Sequence, residues 1–387
     1  MVRAGAGVSS RPRVVVLRGQ QANPWDLRPW EELADAFDVV APVLGSSASY
    51  DAGLVRISTP PARALSDLAP GPVRALAARA PVNRYRGLDR LLTGAAIVHA
   101  AELHFWFTAQ AAALRSRLGF RLAVTVWETI PFGDAYRNPL SRRNRAAVLG
   151  AADAFLAATE RARRALLLEG VSAERIQVCP PGVDLERFGA ARRAAPPAEH
   201  VVLSPGRLVW EKGHQDVVRA VAALRRGLEG LPRREARALI VGRGPEEARL
   251  RRHAAELGVG DLVELRPHLP YDAMPEVYAG ASAMVLASLP TPAWEEQFGM
   301  VLAEGLAAGV PIVASCSGAI PEVAGDATAF VEPGDWLGIA QALAAGPLKR
   351  APGARVEHSA ALVERWSARA AGARLRAAYR DLLTVDG

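Results

Sequence analysis

The chain has 387 residues, half of them hydrophobic and 22% charged, which is the composition of an ordinary globular protein with room for two domains. No apolar run reaches the roughly 20 residues that cross a bilayer, and Met1 to Ser10 lacks the apolar stretch of a secretory signal, so we expect a cytoplasmic protein.

The net charge of +7 lies entirely in residues 1–190, which hold 24 Arg against 17 Asp and Glu. This basicity is scattered and lacks aromatic platforms, which argues against nucleic-acid binding. Cys179 and Cys316 stand far apart without His or Cys companions, which argues against a disulfide framework and a zinc site.

Short apolar runs alternate with longer stretches of helical period, and the alternation restarts midway along the chain. This pattern is typical of parallel sheets covered by helices on both faces. The strands predicted for the first half are Val14 to Leu17, Val39 to Val43, Ala96 to His99, Leu122 to Val126, Ala154 to Ala157 and Ile176 to Cys179. Those predicted for the second half are Val201 to Ser204, Ala238 to Val241, Val263 to Arg266, Ala283 to Ala287, Pro311 to Ala314 and Thr328 to Val331.

A break in this pattern falls at Cys179 to Asp184, where two prolines and a glycine preclude a regular element. The break predicts an N-terminal Rossmann-like domain over residues 1–185 and a C-terminal one over residues 186–357. A single amphipathic helix is predicted from His358 to Leu383, within a last segment of residues 358–387.

The loop from Gly206 to Gly213 leaves the strand Val201 to Ser204 and enters a helical stretch. Doubly wound sheets bind ligands at such carboxyl ends, and two facing domains would form a cleft there. Arg207 and Lys212 in this loop are a planar fork and a point charge, which suit a diphosphate. Lys212 is one of only two lysines among 47 basic residues, so its presence favours a binding role over that of a solvated surface cation.

A second loop carries Glu296 just before a helical run that starts at Gly299, with Glu304 on the second turn of that helix. The free N–H groups at a helix start favour an anionic phosphate or a sugar hydroxyl. Glu304, if it points into the cleft, can accept hydrogen bonds from two vicinal ribose hydroxyls. A capped helix with one solvated carboxylate per turn is the alternative, and spacing alone leaves both open.

Five motifs follow one another along the chain: Pro180 to Asp184, Gly206 to Gly213, Ile240 to Pro245, the pair Glu296 and Glu304, and Gly318 to Val323. In this order they resemble the family 4 retaining glycosyltransferases of GT-B fold. With the stretch Thr159 to Val171 the resemblance covers roughly residues 95–335. It implies an α/β fold of two doubly wound Rossmann-like domains facing a cleft, with the C-terminal helix crossing back to the N-terminal domain.

The resemblance implies a donor site in the C-terminal domain and an acceptor site in the N-terminal domain. Arg207 and Lys212 would hold the donor diphosphate and stabilise the leaving group. Glu296 would act in catalysis by orienting the transferred sugar, and Glu304 would bind the ribose. The other donor-binding positions that the resemblance implies are Gly19, Gly206, Pro267, His268, Phe298, Gly299 and Met300.

The resemblance also implies a mechanism of front-face substitution, in which the leaving phosphate deprotonates the acceptor and the protein acts by placement and electrostatics. The donor would be a nucleotide-diphosphate sugar. Because two cations would neutralise the diphosphate, neither a metal nor a cofactor is expected.

The N-terminal half departs from the family pattern at two places. Many relatives have two glycines after the first strand, whereas this chain has Gly19 followed by Gln20. Trp127 stands where many relatives have a His that touches the donor sugar, and His104 or Glu128 is a candidate to replace it. We therefore assign Gln20, His104 and Glu128 to the acceptor and sugar side, with a packed histidine beside aromatic residues as the alternative for His104.

The sequence thus predicts a retaining glycosyltransferase with a sugar, lipid or small-molecule acceptor. A non-catalytic nucleotide-sugar-binding protein and a GT-B sugar-nucleotide epimerase are the alternatives. Two arginine clusters suggest an anionic acceptor or peripheral association with the inner face of an anionic cytoplasmic membrane, although an Arg-rich composition without a partner explains them equally well. The clusters are Arg84, Arg86 and Arg90, and Arg137, Arg142, Arg143 and Arg145.

Overall fold

The chain forms two compact units, one of residues 1–182 with 368–387 and one of residues 183–367, called the N-terminal and C-terminal units below. The computed structural model describes residues 11–45, 55–133, 138–193, 195–326 and 328–384. Within these ranges, no helix combines the length and the apolar character that crossing a bilayer requires.

The N-terminal unit is built on a six-stranded parallel sheet in the order β2-β1-β5-β6-β7-β8, with β3 and β4 as a separate pair. Its strands are nearly continuous apolar runs, as expected where both faces of a sheet are covered. The order reverses between β1 and β5, which makes the ends of these two strands the topological switch point of the sheet. The strands are β1 (Arg13–Val16), β2 (Asp38–Val40), β3 (Val43–Leu44), β4 (Pro61–Ala62), β5 (Ile97–Ala101), β6 (Arg121–Val126), β7 (Ala154–Ala157) and β8 (Ile176–Val178).

Helices pack on both faces of this sheet, because alternate residues of its strands belong to different clusters. Val15 packs in a cluster with Phe107 and Phe155, whereas Val14 packs with Trp30 and residues of the last helix. Side-chain oxygens cap two of the helices at their first turns. The helices here are α1 (Arg28–Glu31), α2 (Gly71–Arg79), α3 (Leu88–Leu92), α4 (Trp106–Leu118), α5 (Pro139–Ala151) and α6 (Glu160–Leu168).

The C-terminal unit repeats the design with the parallel order β11-β10-β9-β12-β13-β14. Numbered within the unit, this is the order 3-2-1-4-5-6 of dinucleotide-binding folds, and its switch point lies at the ends of β9 and β12. The strands are β9 (Val201–Pro205), β10 (Arg237–Val241), β11 (Val263–Arg266), β12 (Ala283–Leu286), β13 (Ile312–Ser315) and β14 (Ala329–Val331).

Helices of the C-terminal unit bury apolar residues against these strands. Val217 and Val221 of one helix share a cluster with Leu343 of another and with Val202 and Val285 of the sheet. The helices are α7 (Leu185–Gly189), α8 (His214–Arg226), α9 (Glu247–Glu256), α10 (Met274–Ala279), α11 (Met300–Ala308), α12 (Ile320–Ala324), α13 (Trp336–Ala345) and α14 (Ala360–Arg365).

The C-terminal segment is two helices, so the prediction of a single helix from His358 to Leu383 is wrong. Helix α14 ends in the C-terminal unit, and α15 (Ala368–Thr384) belongs to the N-terminal unit. Trp366 and Ser367 leave the helix because the carbonyl of Trp366 accepts a 2.7 Å hydrogen bond from the Val183 amide and Ser367 pairs with Val183 as in a parallel sheet.

The two aromatic residues predicted near a crossing lie in different units. The Trp366 ring packs at 5.2 Å from that of Phe298 in the C-terminal unit, and its indole donates to the carbonyl of Val323. Tyr379 of α15 packs in the N-terminal unit, where its hydroxyl accepts a 2.9 Å hydrogen bond from the indole of Trp30. Helix α15 is therefore an integral part of the N-terminal core.

All twelve predicted strands are confirmed, with ends that differ by at most three residues. The short pair β3 and β4 was missed because two-residue strands leave no periodic pattern.

Candidate functional site

Two loops meet at the switch point of the C-terminal unit. The first joins β9 to α8 through Gly206 to Gly213, and the second joins β12 to α11 through Ala287 to Gly299. Because β9 and β12 are hydrogen-bonded neighbours, their carboxyl ends bring these distant segments of the sequence together.

Lys212 and Glu296 form the centre of this site. The Lys212 ammonium donates to Glu296 Oε2 at 2.6 Å, and the hydroxyl of Ser288 donates to the same oxygen at 2.8 Å. The side chains of Lys212 and Glu296 are only 13% and 8% exposed, so solvent screens the pair weakly. The ammonium also lies 5.0 Å from the centre of the Trp294 ring. A compact cation is thus held between a carboxylate and an aromatic face.

Arg207 lies in the same loop with an exposed side chain, while its backbone is held by the buried His214. The carbonyl of Arg207 is 3.1 Å from Nε2 of His214, and Nδ1 of that ring is 2.8 Å from the Ser204 hydroxyl. Burial lowers the pKa of His214 to about 4, so its ring is neutral near pH 7. Since a carbonyl only accepts, Nε2 carries the proton and Nδ1 accepts from Ser204. The backbone of Arg207 is therefore rigidly held, and its guanidinium extends into solvent.

The glycines of the motif Ile240 to Pro245 serve the packing of the first loop. A Cβ atom on Gly242 would lie 1.8 Å from the carbonyl oxygen of Gly206, and one on Gly244 would lie 2.1 Å from that of Leu208. Only glycine permits these approaches. This motif therefore packs directly against the backbone of the loop that carries Arg207 and Lys212.

The motif Gly318 to Val323 supports Glu296 in the same way. A Cβ atom on Gly318 would lie 2.2 Å from the carbonyl oxygen of Glu296, and that oxygen accepts a 2.8 Å hydrogen bond from the amide of Ala319. Glu296 is thus fixed through its backbone by one motif and through its carboxylate by Lys212.

Helix α11 begins four residues after Glu296, at Met300, with Gly299 in the left-handed conformation before it. The amides of its first turn lack partners within the helix, as at every helix start. Phe298 is buried against Trp366 and anchors this start to the core. The structure therefore brings the predicted residues Phe298, Gly299 and Met300 next to Glu296.

Glu304 lies buried on α11, between two tyrosines that sequence reasoning missed. The hydroxyls of Tyr271 and Tyr278 each donate to one of its carboxylate oxygens at 2.7 Å. Burial raises the pKa of Glu304, and these two hydrogen bonds offset part of that effect. The alternative of a solvated helix carboxylate is therefore excluded. Tyr278 precedes Glu304 by 26 residues, so no local pattern signals the contact.

Pro267 and His268 stand apart from this centre. They follow β11, which is separated from β9 by β10, and both are exposed. None of the described hydrogen bonds joins them to Lys212 or Glu296.

Comparison with known proteins agrees with the two-unit organisation. A model of the glycosyl transferases group 1 matches residues 190–345, and a model of glycosyltransferase family 4 matches residues 30–187. The chain belongs to the family 4 glycosyltransferases. A relative from Nocardia farcinica, a D-inositol 3-phosphate glycosyltransferase, is 33% identical over 268 residues, which cover 62% of this chain and 56% of the relative. A relative of the same name from Segniliparus rotundus is 31% identical over 74% of this chain and 66% of its own length. The chain thus spans between about half and two-thirds of these relatives.

Solved structures of other glycosyltransferases share the fold of this family 4 chain. A Rickettsia africae glycosyltransferase matches 97% of this chain and 100% of its own length, with a TM-score of 0.71 and 14% identity. Anabaena HepE, solved in complex with UDP and glucose, matches 96% of this chain and 100% of its own, with a TM-score of 0.70 and 16% identity. The predicted α/β GT-B fold with two Rossmann-like domains is confirmed.

The N-terminal unit of this family 4 chain holds Gly19 and Gln20 directly after β1. Gly19 has a positive φ of 56°, and its amide donates a 3.1 Å hydrogen bond to the buried Tyr85 hydroxyl. The amide expected near a phosphate is therefore engaged with the protein in this structure. Gln20 is half-buried beside it.

His104 and Glu128 lie near the ends of neighbouring strands in the N-terminal unit. Burial lowers the pKa of His104 to about 4, and its ring packs edge-on against Phe105 at 4.8 Å. This environment matches the alternative of a packed histidine beside aromatic residues. One carboxylate oxygen of Glu128 accepts from the amides of Thr129 and Ile130 at 2.9 Å each, which orders the loop after β6.

Proposed function

We propose that this chain transfers a sugar from a nucleoside-diphosphate sugar to a hydroxyl acceptor, with retention of anomeric configuration and without a metal. The observation that carries the proposal is the weakly screened Lys212–Glu296 pair at the switch point, next to the exposed guanidinium of Arg207 and the start of α11. Cations and free amides at one edge of a sheet are suited to a diphosphate.

Each group then has a distinct role. Arg207 and Lys212 hold the diphosphate and stabilise the charge that develops on it. Glu296 and the first amides of α11 orient the transferred sugar. Glu304 binds the ribose, for which its carboxylate retains lone pairs beyond the two used by tyrosines. The nucleotide base contacts backbone groups near Pro267 and His268.

In the reaction, the bond between the anomeric carbon and the diphosphate oxygen breaks, and its electron pair leaves with the nucleoside diphosphate. The acceptor hydroxyl oxygen forms the new bond on the same face of the sugar. Its proton passes to the leaving diphosphate oxygen. The protein contributes placement and electrostatic stabilisation.

The test incubates the purified protein with UDP-, GDP- and ADP-glucose in the presence of EDTA. We expect slow hydrolysis of at least one donor, with water as acceptor, and release of the same anomer, read by NMR before mutarotation. Release of the opposite anomer contradicts retention, and loss of turnover in EDTA contradicts metal independence. Binding without any release favours the non-catalytic nucleotide-sugar-binding alternative.

For the acceptor side, we propose docking on an anionic membrane through residues 63–90. Six arginines in this segment are exposed, against two acidic residues. Large apolar side chains are exposed between them, up to 75% for Leu76. Apolar groups interleaved with arginines suit the interface of an anionic leaflet, at about 1 kcal/mol per basic residue. The arginines are Arg63, Arg74, Arg79, Arg84, Arg86 and Arg90, and the apolar residues are Leu65, Leu68, Val73, Leu76 and Val82.

The second predicted cluster supports docking less well. Arg145 is paired with Glu169 and lies over the Phe132 ring, so its charge is already used inside the unit. Arg142 and Arg143 are exposed, and Arg137 lies outside the described residues.

Co-sedimentation with vesicles tests this docking. The protein should co-sediment with vesicles that contain about 30% phosphatidylglycerol at low salt and dissociate from them at high salt. It should not co-sediment with vesicles of pure phosphatidylcholine. Leu76→Ser should weaken binding, whereas Leu168→Ser, at a similarly exposed leucine of α6, should not. Equal binding to both vesicle types, or equal effects of the two substitutions, contradicts the proposal.

A further inference from the structure

The switch point of the N-terminal unit also carries a cation and a carboxylate. Arg18 follows β1, and Glu102 follows β5 directly, so both lie at the carboxyl ends where the strand order reverses. They are only 9% and 7% exposed. Buried charged groups at a switch point are unusual unless they meet each other or a ligand.

Glu102 adopts a conformation that the surrounding strands hold in place. Its φ of 60° is in the left-handed region, its amide donates to the carbonyl of Thr125 at 2.8 Å, and its Oε1 accepts from the amide of Trp127 at 2.8 Å. Non-glycine residues in this region are strained and cluster at ligand-binding sites. The second oxygen, Oε2, is buried and has no hydrogen-bond partner among the described residues.

Arg18, whose charge acts on Glu102, also has a buried polar atom without a partner among the described residues. Arg18 uses one terminal nitrogen for Asp26 at 3.3 Å, while its Nε is buried without a partner in the described part of the chain, as is Oε1 of Gln20. Buried polar atoms in native structures normally have partners, and a ligand bound at this switch point could supply partners for these atoms.

The charges facing Glu102 decide which kind of ligand fits. The guanidinium of Arg18 is the one cation among its described neighbours, and Asp26 already engages it. Glu128 places a second carboxylate near Glu102, while burial holds the neighbouring His99 neutral by lowering its pKa to about 3. Burial likewise raises the pKa of Glu102 to about 8. An anionic ligand would meet more carboxyl groups than cations here.

We propose that this site binds a neutral polyhydroxyl group, a polyol or a sugar ring, whose hydroxyls contact Glu102 Oε2 and Arg18 Nε. A hydroxyl both donates and accepts, so it can pair with Oε2 of Glu102 in either protonation state and with the Nε–H of Arg18, whereas a phosphate adds negative charge beside the Glu128 carboxylate and an apolar group makes no hydrogen bond. The inference rests on the proposed function and specifies its acceptor: the part of the acceptor that enters the N-terminal switch point is uncharged. Glu102 is then a specificity-determining residue of the transfer reaction.

Matched polyols test the proposal without any donor. Glucose with glucose 6-phosphate, and glycerol with glycerol 3-phosphate, are titrated by calorimetry into the wild-type chain, Glu102→Gln and Asp153→Asn. The control residue, Asp153, is a carboxylate of the same unit that pairs with Arg115 and Arg121 near the opposite ends of the strands. Glu102→Gln keeps the shape of the side chain and replaces its titrating carboxyl group with an amide that cannot ionise.

We expect the neutral member of each pair to bind the wild-type chain at least tenfold more tightly than its phosphate. Glu102→Gln should raise the Kd of the neutral member about tenfold, and Asp153→Asn should leave it within twofold. Tighter binding of the phosphates, no binding of either neutral polyol, or equal effects of both substitutions overturns the inference. Donor hydrolysis by the wild-type chain is measured separately, so failure of the transferase proposal is distinguishable from failure of the acceptor site.

Discussion

The two sheets carry a cation and a carboxylate at equivalent topological positions, but the two pairs are in different states. In the C-terminal unit, Lys212 and Glu296 are in direct contact at 2.6 Å, and Ser288 completes the carboxylate's shell. In the N-terminal unit, Arg18 and Glu102 are each joined to other groups, and each keeps a buried atom without a partner among the described residues.

The difference shows that a switch point predicts where a ligand binds but leaves its chemistry to the local charges. The C-terminal site has its carboxylate neutralised and a second cation, Arg207, exposed beside it, which leaves net positive charge for a diphosphate. The N-terminal site has a guanidinium nitrogen and a carboxyl oxygen without partners among the described residues, and more carboxyl groups than cations. Four variants test this difference between the two sites.

Glu296→Gln should have the largest effect, because it releases Lys212 from its carboxylate and removes a group that orients the sugar. We expect kcat to fall about 10²- to 10³-fold, or roughly 3–4 kcal/mol in transition-state stabilisation, with a smaller change in KM. The exposed Glu264 provides a matched Glu→Gln control that should retain activity. Similar kinetics for the two variants contradict the role of Glu296.

Lys212→Arg should reduce kcat/KM by about tenfold to a hundredfold although it preserves the charge. The ammonium lies between Glu296 and Trp294, with the side-chain stem beside Gly206, and a planar fork is too large for that position. Lys349→Arg, at the chain's other lysine, should have no effect. Wild-type activity of Lys212→Arg shows instead that a diffuse positive charge is sufficient.

Glu102 should add a pH-dependent contribution to the free energy of unfolding that Glu102→Gln lacks. The folded-state pKa of about 8 is above the ordinary value, so the folded chain binds the proton more tightly and loses stability as pH rises from about 5 to 8. The loss is at most about 1.4 kcal/mol per pH unit. The variant's free energy of unfolding relative to wild type should therefore increase over this range in urea titrations. A constant difference between the two proteins contradicts a buried, protonated Glu102.

Tyr278→Phe should have the smallest effect, since it removes one of the two hydrogen bonds to Glu304. The free energy of unfolding should fall by about 1–2 kcal/mol, and the donor KM should rise severalfold because the ribose-binding carboxylate is less well positioned. Tyr271→Phe removes the other bond from a less buried position and should cost less. An unchanged KM in both variants argues that Glu304 serves only the fold.

Much of the fold could be predicted because its information is local. Most of the twelve strands are buried apolar runs bounded by loop residues, and the motif loops follow strand ends. The interruption of the C-terminal helix at Trp366 and Ser367 could not be predicted. It depends on a hydrogen bond from Val183, which lies more than 180 residues earlier in the sequence.

In the candidate site, too, residues within local motifs could be predicted and contacts between distant segments could not. Arg207, Lys212, Glu296 and Glu304 belong to motifs and could be named from the sequence, but their partners could not. Ser288, His214 and the two tyrosines come from other elements, and Glu102 was passed over because nothing in the string Glu102-Leu103-His104 reveals burial or a left-handed backbone.

The most direct test of the central claim is calorimetric titration of UDP, GDP and ADP into the wild-type chain, Arg207→Ala and Arg252→Ala. Both arginines are exposed, so neither substitution should disturb folding, and only Arg207 lies at the C-terminal switch point. We predict that at least one nucleoside diphosphate binds the wild-type chain and Arg252→Ala equally well, and that Arg207→Ala weakens it by about tenfold to a hundredfold. Equal affinity of all three proteins, or no binding of any nucleoside diphosphate, would contradict a diphosphate site at Arg207 and Lys212.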